Sequence, residues 1–423
     1  VGLADQKGRR KFLQDIRFGL AEVILVRDAF DFSKEYGLVL EGGGAKGAYQ
    51  IGVWKALMEY GVKIKAIAGV SVGALNGALI CMGDLARAES IWQNISYSRI
   101  MSVDDNEMDK LINRRFREIN IQTVRKEGRK IFVKGGLDVT PLRRLLEENL
   151  DEAKIRASDI DFIIGTFNIS KMKEEEIVVK EVEEGLIKDY LMASANFPLF
   201  RQQKLLGKTY LDGGIANNVP IDMLIKRGYK DIIVVRIYGI GLEKKVKIPE
   251  DVNVIYIAPK CNLCNVLEFN RKKAIRNIML GYYDALRILK PLTGNDYYIE
   301  SAKTEKDYLN SLTNLSEEEM KELIYLDRSA EKYTGSILRK YLEDIYPQMA
   351  AQFKLSRNWR YGELYYAILE YCARKFGIKR YRVYTEKEFC LLLKELIQEK
   401  YKKAEKSDGI IDLAYLLIRN NYA

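Results

Sequence analysis

Phe12, Leu13, Ile16, Leu20, Val23 and Ile24 recur at close to helical spacing between charged residues, so residues 1–35 read as a basic amphipathic helix expected to pack against the main domain. From Tyr36 the pattern changes. Residues 36–40 and 64–68 are apolar runs of strand length, each followed by a helical pattern, the first of which closes at Tyr60 and Gly61. Residues 162–165, 177–182, 232–237 and 254–257 are further strand candidates. Short apolar strands alternating with helices predict a parallel sheet covered on both faces. Thr140-Pro141 reads as a helix start, with Thr140 as the cap and Pro141 at the first helical position. Beyond about residue 300 the strand patterns stop, and the pairs Ser316/Glu319 and Thr385/Glu388 mark helix starts. The expectation is an α/β core over residues 36–300, preceded by the helical segment 1–35 and followed by a helical region of unassigned role over 301–423.

Composition changes the chemistry more than the fold. With 48% hydrophobic and 30% charged residues the 423-residue chain can bury a sizeable core and is not compositionally disordered. It contains no histidine. Imidazole is the usual general base and metal ligand near neutral pH, so Ser-His-Asp and Cys-His catalysis, histidine zinc sites and H-E-x-x-H metalloproteases are excluded. Cys81, Cys261, Cys264, Cys372 and Cys390 are too few and too odd in number for a disulfide framework, which points to a reducing compartment and the cytoplasm. Cys261-x-x-Cys264 has no second pair at zinc-ribbon spacing and reads as packing or loop cysteines. The net charge of +10 favours an anionic partner, either a membrane surface or nucleic acid, against the plainer reading of a solubilising surface. The basic cluster Arg374, Lys375, Lys379, Arg380 and Arg382, interleaved with Phe376, Tyr381 and Tyr384, poses the same alternative locally. The apolar stretch after Arg9, Arg10 and Lys11 is broken by Asp15, Arg17, Glu22 and Arg27 and does not read as a secretory leader. The uncharged run 66–83 holds Gly69, Ser71, Gly73, Asn76 and Gly77, and reads as strand, turn and helix, not as a membrane span.

Three glycine-bearing segments carry the candidate chemistry. Gly42-Gly43-Gly44-Ala45-Lys46-Gly47 lies between a strand and a helix and satisfies G-x-G-x-x-G. The dinucleotide reading fails because the second strand ends in Ala68-Gly69 without a carboxylate, and the P-loop reading fails because Gly47 is followed by Ala48-Tyr49. What remains is a loop of backbone N–H groups at a helix N-terminus, suited to an anion. One β-α unit later, Gly69-Val70-Ser71-Val72-Gly73 is a G-x-S-x-G between strand and helix, where the glycines allow a sharp turn that lifts the Ser71 hydroxyl above the sheet edge. Ser71 is thus a nucleophile candidate lacking a histidine partner. Asp212-Gly213-Gly214, after a short apolar segment, supplies the best candidate base, although D-G-G alone is most often a turn.

These three segments, in this order, resemble the motifs of the patatin-like phospholipases, G-G-G-x-[R/K]-G, G-x-S-x-G and D-G-[A/G]. The likeness extends to residues 192–198, 211–220 and the helix through 281–286, and covers about residues 36–290. It implies a three-layer α/β/α core, a Ser71–Asp212 dyad that needs no histidine, and an oxyanion hole made by backbone N–H groups of the Gly42 to Gly47 loop. It also implies a lipid acyl hydrolase of phospholipase A or lysophospholipase type working through an acyl-Ser71 intermediate, with neither metal nor cofactor. An acyltransferase or thioesterase on the same dyad, or a signal-gated effector hydrolase controlled by the C-terminal helices, are the alternatives. The expected partner is a lipid or lipid-like ester, with peripheral contact at an anionic membrane as a further option and no nucleic acid.

Overall fold

The structure, a computed structural model, describes residues 30–115, 136–201, 204–205, 207–325, 335–401 and 408–422. Residues 1–29, most of the expected N-terminal helix, lie outside the described residues. The chain divides into compact units, one of them Asp31–Leu289 and another holding Lys290–Ala423.

In the Asp31–Leu289 unit, β1 (Glu35–Leu40) leads into helix α1 (Ala48–Glu59), and β2 (Lys63–Val70) into helix α2 (Val72–Met82). Helices α3 (Leu85–Gln93) and α4 (Thr140–Asn149) follow, then β3 (Asp161–Asn168), β4 (Lys173–Val178), α5 (Ile187–Ser194), β5 (Lys204–Leu205), β6 (Lys208–Asp212), β7 (Asp231–Val235), β8 (Asn253–Ile257) and the long helix α6 (Arg271–Leu289). The strands form one sheet ordered β5-β6-β3-β2-β1-β7-β8, with β4 also paired to β3. Strands β1, β2, β3, β7 and β8 run parallel and are apolar because both faces are covered. On one face Val39, Ala68, Ile232 and Val234 pack with Met223 and Leu224 of the short helix Ile221–Ile225. On the other, α1 and α6 are tied by a buried hydrogen bond of 3.0 Å from the Tyr49 hydroxyl to Asp284.

The sheet is mixed, where the pattern predicted a parallel one. Strands β4 and β6 run antiparallel to β3, and β5 antiparallel to β6. The link from Asn168 to Lys173 is a single 3₁₀ turn ending at Met172, far too short for the crossover that a parallel partner requires. The strand expected over 177–182 accordingly ends at Val178 and passes into another 3₁₀ turn. Thr140 is the first residue of α4 instead of its cap; Asp138 accepts from the Thr140 N–H (2.9 Å) and hydroxyl (2.7 Å).

The Lys290–Ala423 unit is built on helices α7 (Glu305–Thr313), α8 (Glu317–Tyr325), α9 (Tyr361–Phe376), α10 (Glu386–Lys400) and α11 (Gly409–Asn421). They enclose a core rich in tyrosine, including Tyr308, Tyr346, Tyr365 and Tyr366 with Phe389 and Leu417. Ser316 and Glu319 exchange capping bonds of 2.7 and 3.2 Å, and the Thr385 hydroxyl accepts from the Glu388 N–H at 3.2 Å. Strands do not stop near residue 300, however. Val383–Thr385 pairs parallel with Tyr298–Glu300, which pairs antiparallel with Leu292–Thr293. Three residues are too few for alternation to show in a sequence. Four of the five cations of the basic cluster are matched internally, with Arg374 and Arg380 on Asp296, Lys375 on Asp408 and Arg382 on Glu388.

Candidate active site

Strand order brings the three glycine segments together. The loop after β1 and the turn after β2 leave adjacent parallel strands, with Leu40 opposite Gly69. On the other side, β3 separates β2 from β6, with Val70 opposite Gly165 and Asp212 opposite Thr166. Ser71 and Asp212 therefore emerge at the same end of the sheet, one β3 width apart.

Ser71 has φ +54° and ψ −126°, a left-handed conformation that costs a non-glycine residue on the order of 1–3 kcal/mol and persists only when its surroundings impose it. Two contacts impose it here. A Cβ at Gly73 would lie 2.2 Å from the Leu40 carbonyl oxygen, so only glycine lets the turn close against β1. The Ser71 N–H donates to the hydroxyl of Ser194 at 2.9 Å, and that hydroxyl donates onward to the Gly165 carbonyl at 2.6 Å, which pins the turn to β3. Carbonyls of the turn continue into the helix, since the Ala74 and Leu75 N–H groups both bond to Ser71 O.

Asp212, the last residue of β6, is 7% exposed. Burial pushes its carboxyl up to about 6, partly offset by the hydrogen bonds it accepts from the Ser71 hydroxyl and the Gly214 N–H. The Gly214 bond is 2.8 Å long. Its own N–H donates to Asn196 O at 2.9 Å, and Asn196 Nδ2 donates to Tyr210 O at 2.8 Å, so the 192–198 segment braces the carboxylate from behind.

The glycine loop is more selective than its sequence suggests. The Gly42 N–H is occupied by Asn218 O (3.2 Å), that of Ala45 by Val266 O (2.8 Å) and that of Lys46 by Gly43 O (3.2 Å). These three are structural. The N–H groups of Gly43 and Gly44 have no acceptor among the described residues, and both glycines line the cleft with Ser71. The Lys46 ammonium donates to the Tyr238 carbonyl, and burial lowers its pKa. Gly47 closes the loop, its carbonyl accepting from Asn76 Nδ2 at 3.0 Å.

Glu41, immediately before the loop, is the residue that motif reading missed. It is 1% exposed, and its carboxylate accepts from the N–H groups of Ile237 (2.7 Å), Tyr238 (3.0 Å) and Gly239 (3.0 Å) and from Arg236 Nε (3.0 Å). Asn218 Nδ2 bridges Glu41 and the Gly42 carbonyl at 3.3 and 3.0 Å. A Cβ at Gly239 would lie 1.8 Å from Gly42 O, so the clamped turn touches the glycine loop backbone to backbone. A lone carboxylate at the end of an apolar strand was the available signal.

Ser71 and Asp212 open on a cleft of about 100 Å³. Its walls are mainly apolar, with Leu75 and Leu79 of α2, Leu142 and Leu146 of α4, Phe200 and Phe269. Asn76, one of its few polar neighbours, is satisfied: its Oδ1 accepts from Trp92 Nε1 (3.0 Å) and its Nδ2 also reaches Gln50 (2.8 Å). The arrangement brings together a strained serine, a buried carboxyl, two N–H groups without an acceptor among the described residues and an apolar channel. Cys261 and Cys264 lie outside it, accepting from Arg276 (3.3 Å) and Asn277 (3.7 Å). Among the described residues no helix is long and apolar enough to cross a membrane, and the 66–83 run forms the strand, turn and helix around Ser71.

Residues 38–225 match the family model described as patatin-like phospholipase. Among curated relatives, neuropathy target esterase sws of Drosophila persimilis is 35% identical over 101 residues, 20% of this chain and 7% of that protein. The same protein of Drosophila grimshawi is 60% identical over 45 residues, 11% of this chain and 3% of that protein. These matches thus take in only a small part of the relatives' length. Among solved structures, VipD from Legionella pneumophila aligns over 92% of this chain and 91% of that one, with 16% identity and a TM-score of 0.38. The heterodimeric ExoU–SpcU complex from the type III secretion system of Pseudomonas aeruginosa aligns over 90% and 74%, with 14% identity and a TM-score of 0.30.

Proposed function

We propose that the chain, whose residues 38–225 match the patatin-like phospholipase family model, is a serine lipid acyl hydrolase of phospholipase A or lysophospholipase type. The observation that carries this reading is the Ser71 hydroxyl, presented by a left-handed turn and sharing an apolar cleft with the buried Asp212 carboxylate. Ser71 Oγ attacks the ester carbonyl while its proton passes to Asp212. The carbonyl oxygen gains the negative charge and is met by the N–H groups of Gly43 and Gly44. Collapse of the tetrahedral species breaks the C–O bond to the leaving alcohol, which takes the proton back from Asp212. Water then repeats the sequence on acyl-Ser71, releasing a fatty acid and restoring the serine.

An aspartate at its ordinary ~3.9 is a far weaker base than an imidazole at ~6.5, and burial closes most of that gap by bringing Asp212 to about 6. Preorganised N–H donors supply the rest, each commonly contributing about 3–4 kcal/mol to the transition state. The apolar walls suit an acyl chain. The test is labelling of the full chain with an alkyl fluorophosphonate and turnover of a lipid panel read by mass spectrometry. Wild type should be labelled at Ser71 and release fatty acid, whereas Ser71→Ala should do neither while keeping its melting temperature. Fatty-acid release by well-folded Ser71→Ala would overturn the reading.

A further inference from the structure

Glu41 clamps residues 237–239 over the glycine loop, and the continuation of the same segment is fastened to the other half of the site. The Leu242 N–H donates to Gly214 O at 2.8 Å and the Asn218 N–H to Leu242 O at 2.7 Å. Between these anchors Ile240 lines the cleft. A segment so tightly held by its backbone would be expected to bury its apolar side chains or to carry polar ones. Ile237 is buried at 1% exposure, but Tyr238 is 36% exposed and Leu242 56%.

Tyr238 is the sharper anomaly. Its φ is +50°, a region that glycine occupies freely and a tyrosine only at a cost, yet its ring is not packed into a core. The ring lies instead 5.4 Å from the Arg236 guanidinium. Tyr256 on β8, opposite Val234 of β7, is itself 39% exposed. Just beyond, Val246 and Ile248 pack inward while Lys245 and Lys247 are exposed and have no carboxylate partner among the described residues. A tyrosine beside a cation and a leucine, two residues either side of the cleft-lining Ile240, followed along the chain by two exposed lysines, are the components of a side that meets lipid headgroups: amphipathic rings rest at the interface, aliphatic chains enter it and lysines meet its negative charge.

We propose that the Tyr238-to-Leu242 turn, with Tyr256, Lys245 and Lys247, is the edge of the cleft that docks on an anionic phospholipid surface, so that a substrate acyl chain passes from the bilayer alongside Ile240 to Ser71. This rests on the acyl-hydrolase reading for its purpose, but its test is separable. Tyr238→Gly combined with Leu242→Asn keeps every backbone bond of the turn, relieves the left-handed strain and removes only the two exposed side chains. The full chain and this variant are compared on a short soluble ester, and by co-sedimentation and turnover on vesicles of phosphatidylcholine with and without phosphatidylglycerol. The variant should match wild type on the soluble ester and lose at least about tenfold in binding and turnover on the mixed vesicles. Wild type should bind mixed vesicles more tightly than pure phosphatidylcholine, and Lys245→Gln with Lys247→Gln should remove that difference. Unchanged vesicle binding by the Tyr238/Leu242 variant, equal wild-type binding to both vesicle types, or loss of soluble-ester turnover would each overturn the docking edge. Absence of ester turnover in wild type alongside the expected vesicle binding would sink the hydrolase reading and leave the surface standing.

Discussion

Asp212 in the sheet unit and Glu386 in the helical unit are both buried carboxylates at the end of a regular element, yet burial pushes the first up to about 6 while the second is held below its ordinary range. The difference lies in what each is given in exchange for water. Asp212 receives one hydroxyl and one backbone N–H, and no cation. Glu386 receives the Lys303 ammonium at 2.7 Å and the hydroxyls of Ser301, Tyr366 and Tyr422. Lys303 is itself held over the rings of Tyr365 and Tyr422, at 5.1 and 5.0 Å from their centroids. Burial opposes both charges; only around Glu386 do the donors win. A poorly compensated carboxylate keeps a proton affinity useful near neutral pH, and a fully compensated one is a structural tie.

The harshest way to break this contrast is to take the base away. Asp212→Asn retains the shape and cannot accept the Ser71 proton, so ester kcat should fall by about 10²–10⁴. In wild type, turnover should rise as pH increases through about 6, where Asp212 loses its proton, with no histidine limb above it. A stopped assay across pH 4.5–8.5, with circular dichroism on both proteins, checks this; near wild-type turnover in folded Asp212→Asn would refute the dyad.

Glu386→Gln should act in the opposite currency, lowering stability by about 3 kcal/mol because Lys303 loses its counter-ion, with the pH midpoint of ester turnover staying where it was. Urea denaturation measures the first and the rate profile the second. Asp212→Asn should instead stabilise. The folded carboxyl titrates higher than the unfolded one, so wild type is penalised as pH rises through about 6 and unpenalised below the unfolded value. The asparagine protein should therefore gain up to about 3 kcal/mol at pH 8 and none below pH ~4. Equal stability of the two at pH 8 would mean that Asp212 is not desolvated as described.

Smaller effects sharpen the comparison. Glu41→Gln weakens the clamp on residues 237–239, and should cost about 10² in kcat, the scale of a misplaced oxyanion donor, with KM little changed. A matched fall in kcat and rise in KM would show a general loosening instead. Tyr238→Gly alone should raise stability by about 1 kcal/mol by releasing its positive φ, a change visible in the melting temperature.

How far the molecule was legible from its residues follows from the range of each interaction. Ser71, Asp212 and the glycine loop stand out in the sequence because tight turns demand particular residues within a few positions, and that demand is local. The strand-to-helix rhythm before residue 90 was found for the same reason. Strand direction was not, since the antiparallel β6 is fixed by its pairing with β3 more than forty residues earlier. The division of labour among the loop N–H groups depends on Asn218 and Val266, which no local pattern links to Gly42 or Ala45. Ser194 lay within a segment recognised only as familiar surroundings, and its hydrogen bond to Ser71 spans 123 positions. Val383–Thr385 was hidden by being three residues long.

Trp92, one of three tryptophans in the chain, lines the cleft while its indole nitrogen is tied to Asn76. The cleft therefore carries its own optical reporter. An acyl chain sliding past the ring would displace water from a fluorophore whose orientation is already fixed, shifting its emission to shorter wavelength without added dye. In Ser71→Ala, where chemistry is removed, the same signal would follow occupancy alone, so that filling of the channel and bond cleavage become separately timed events.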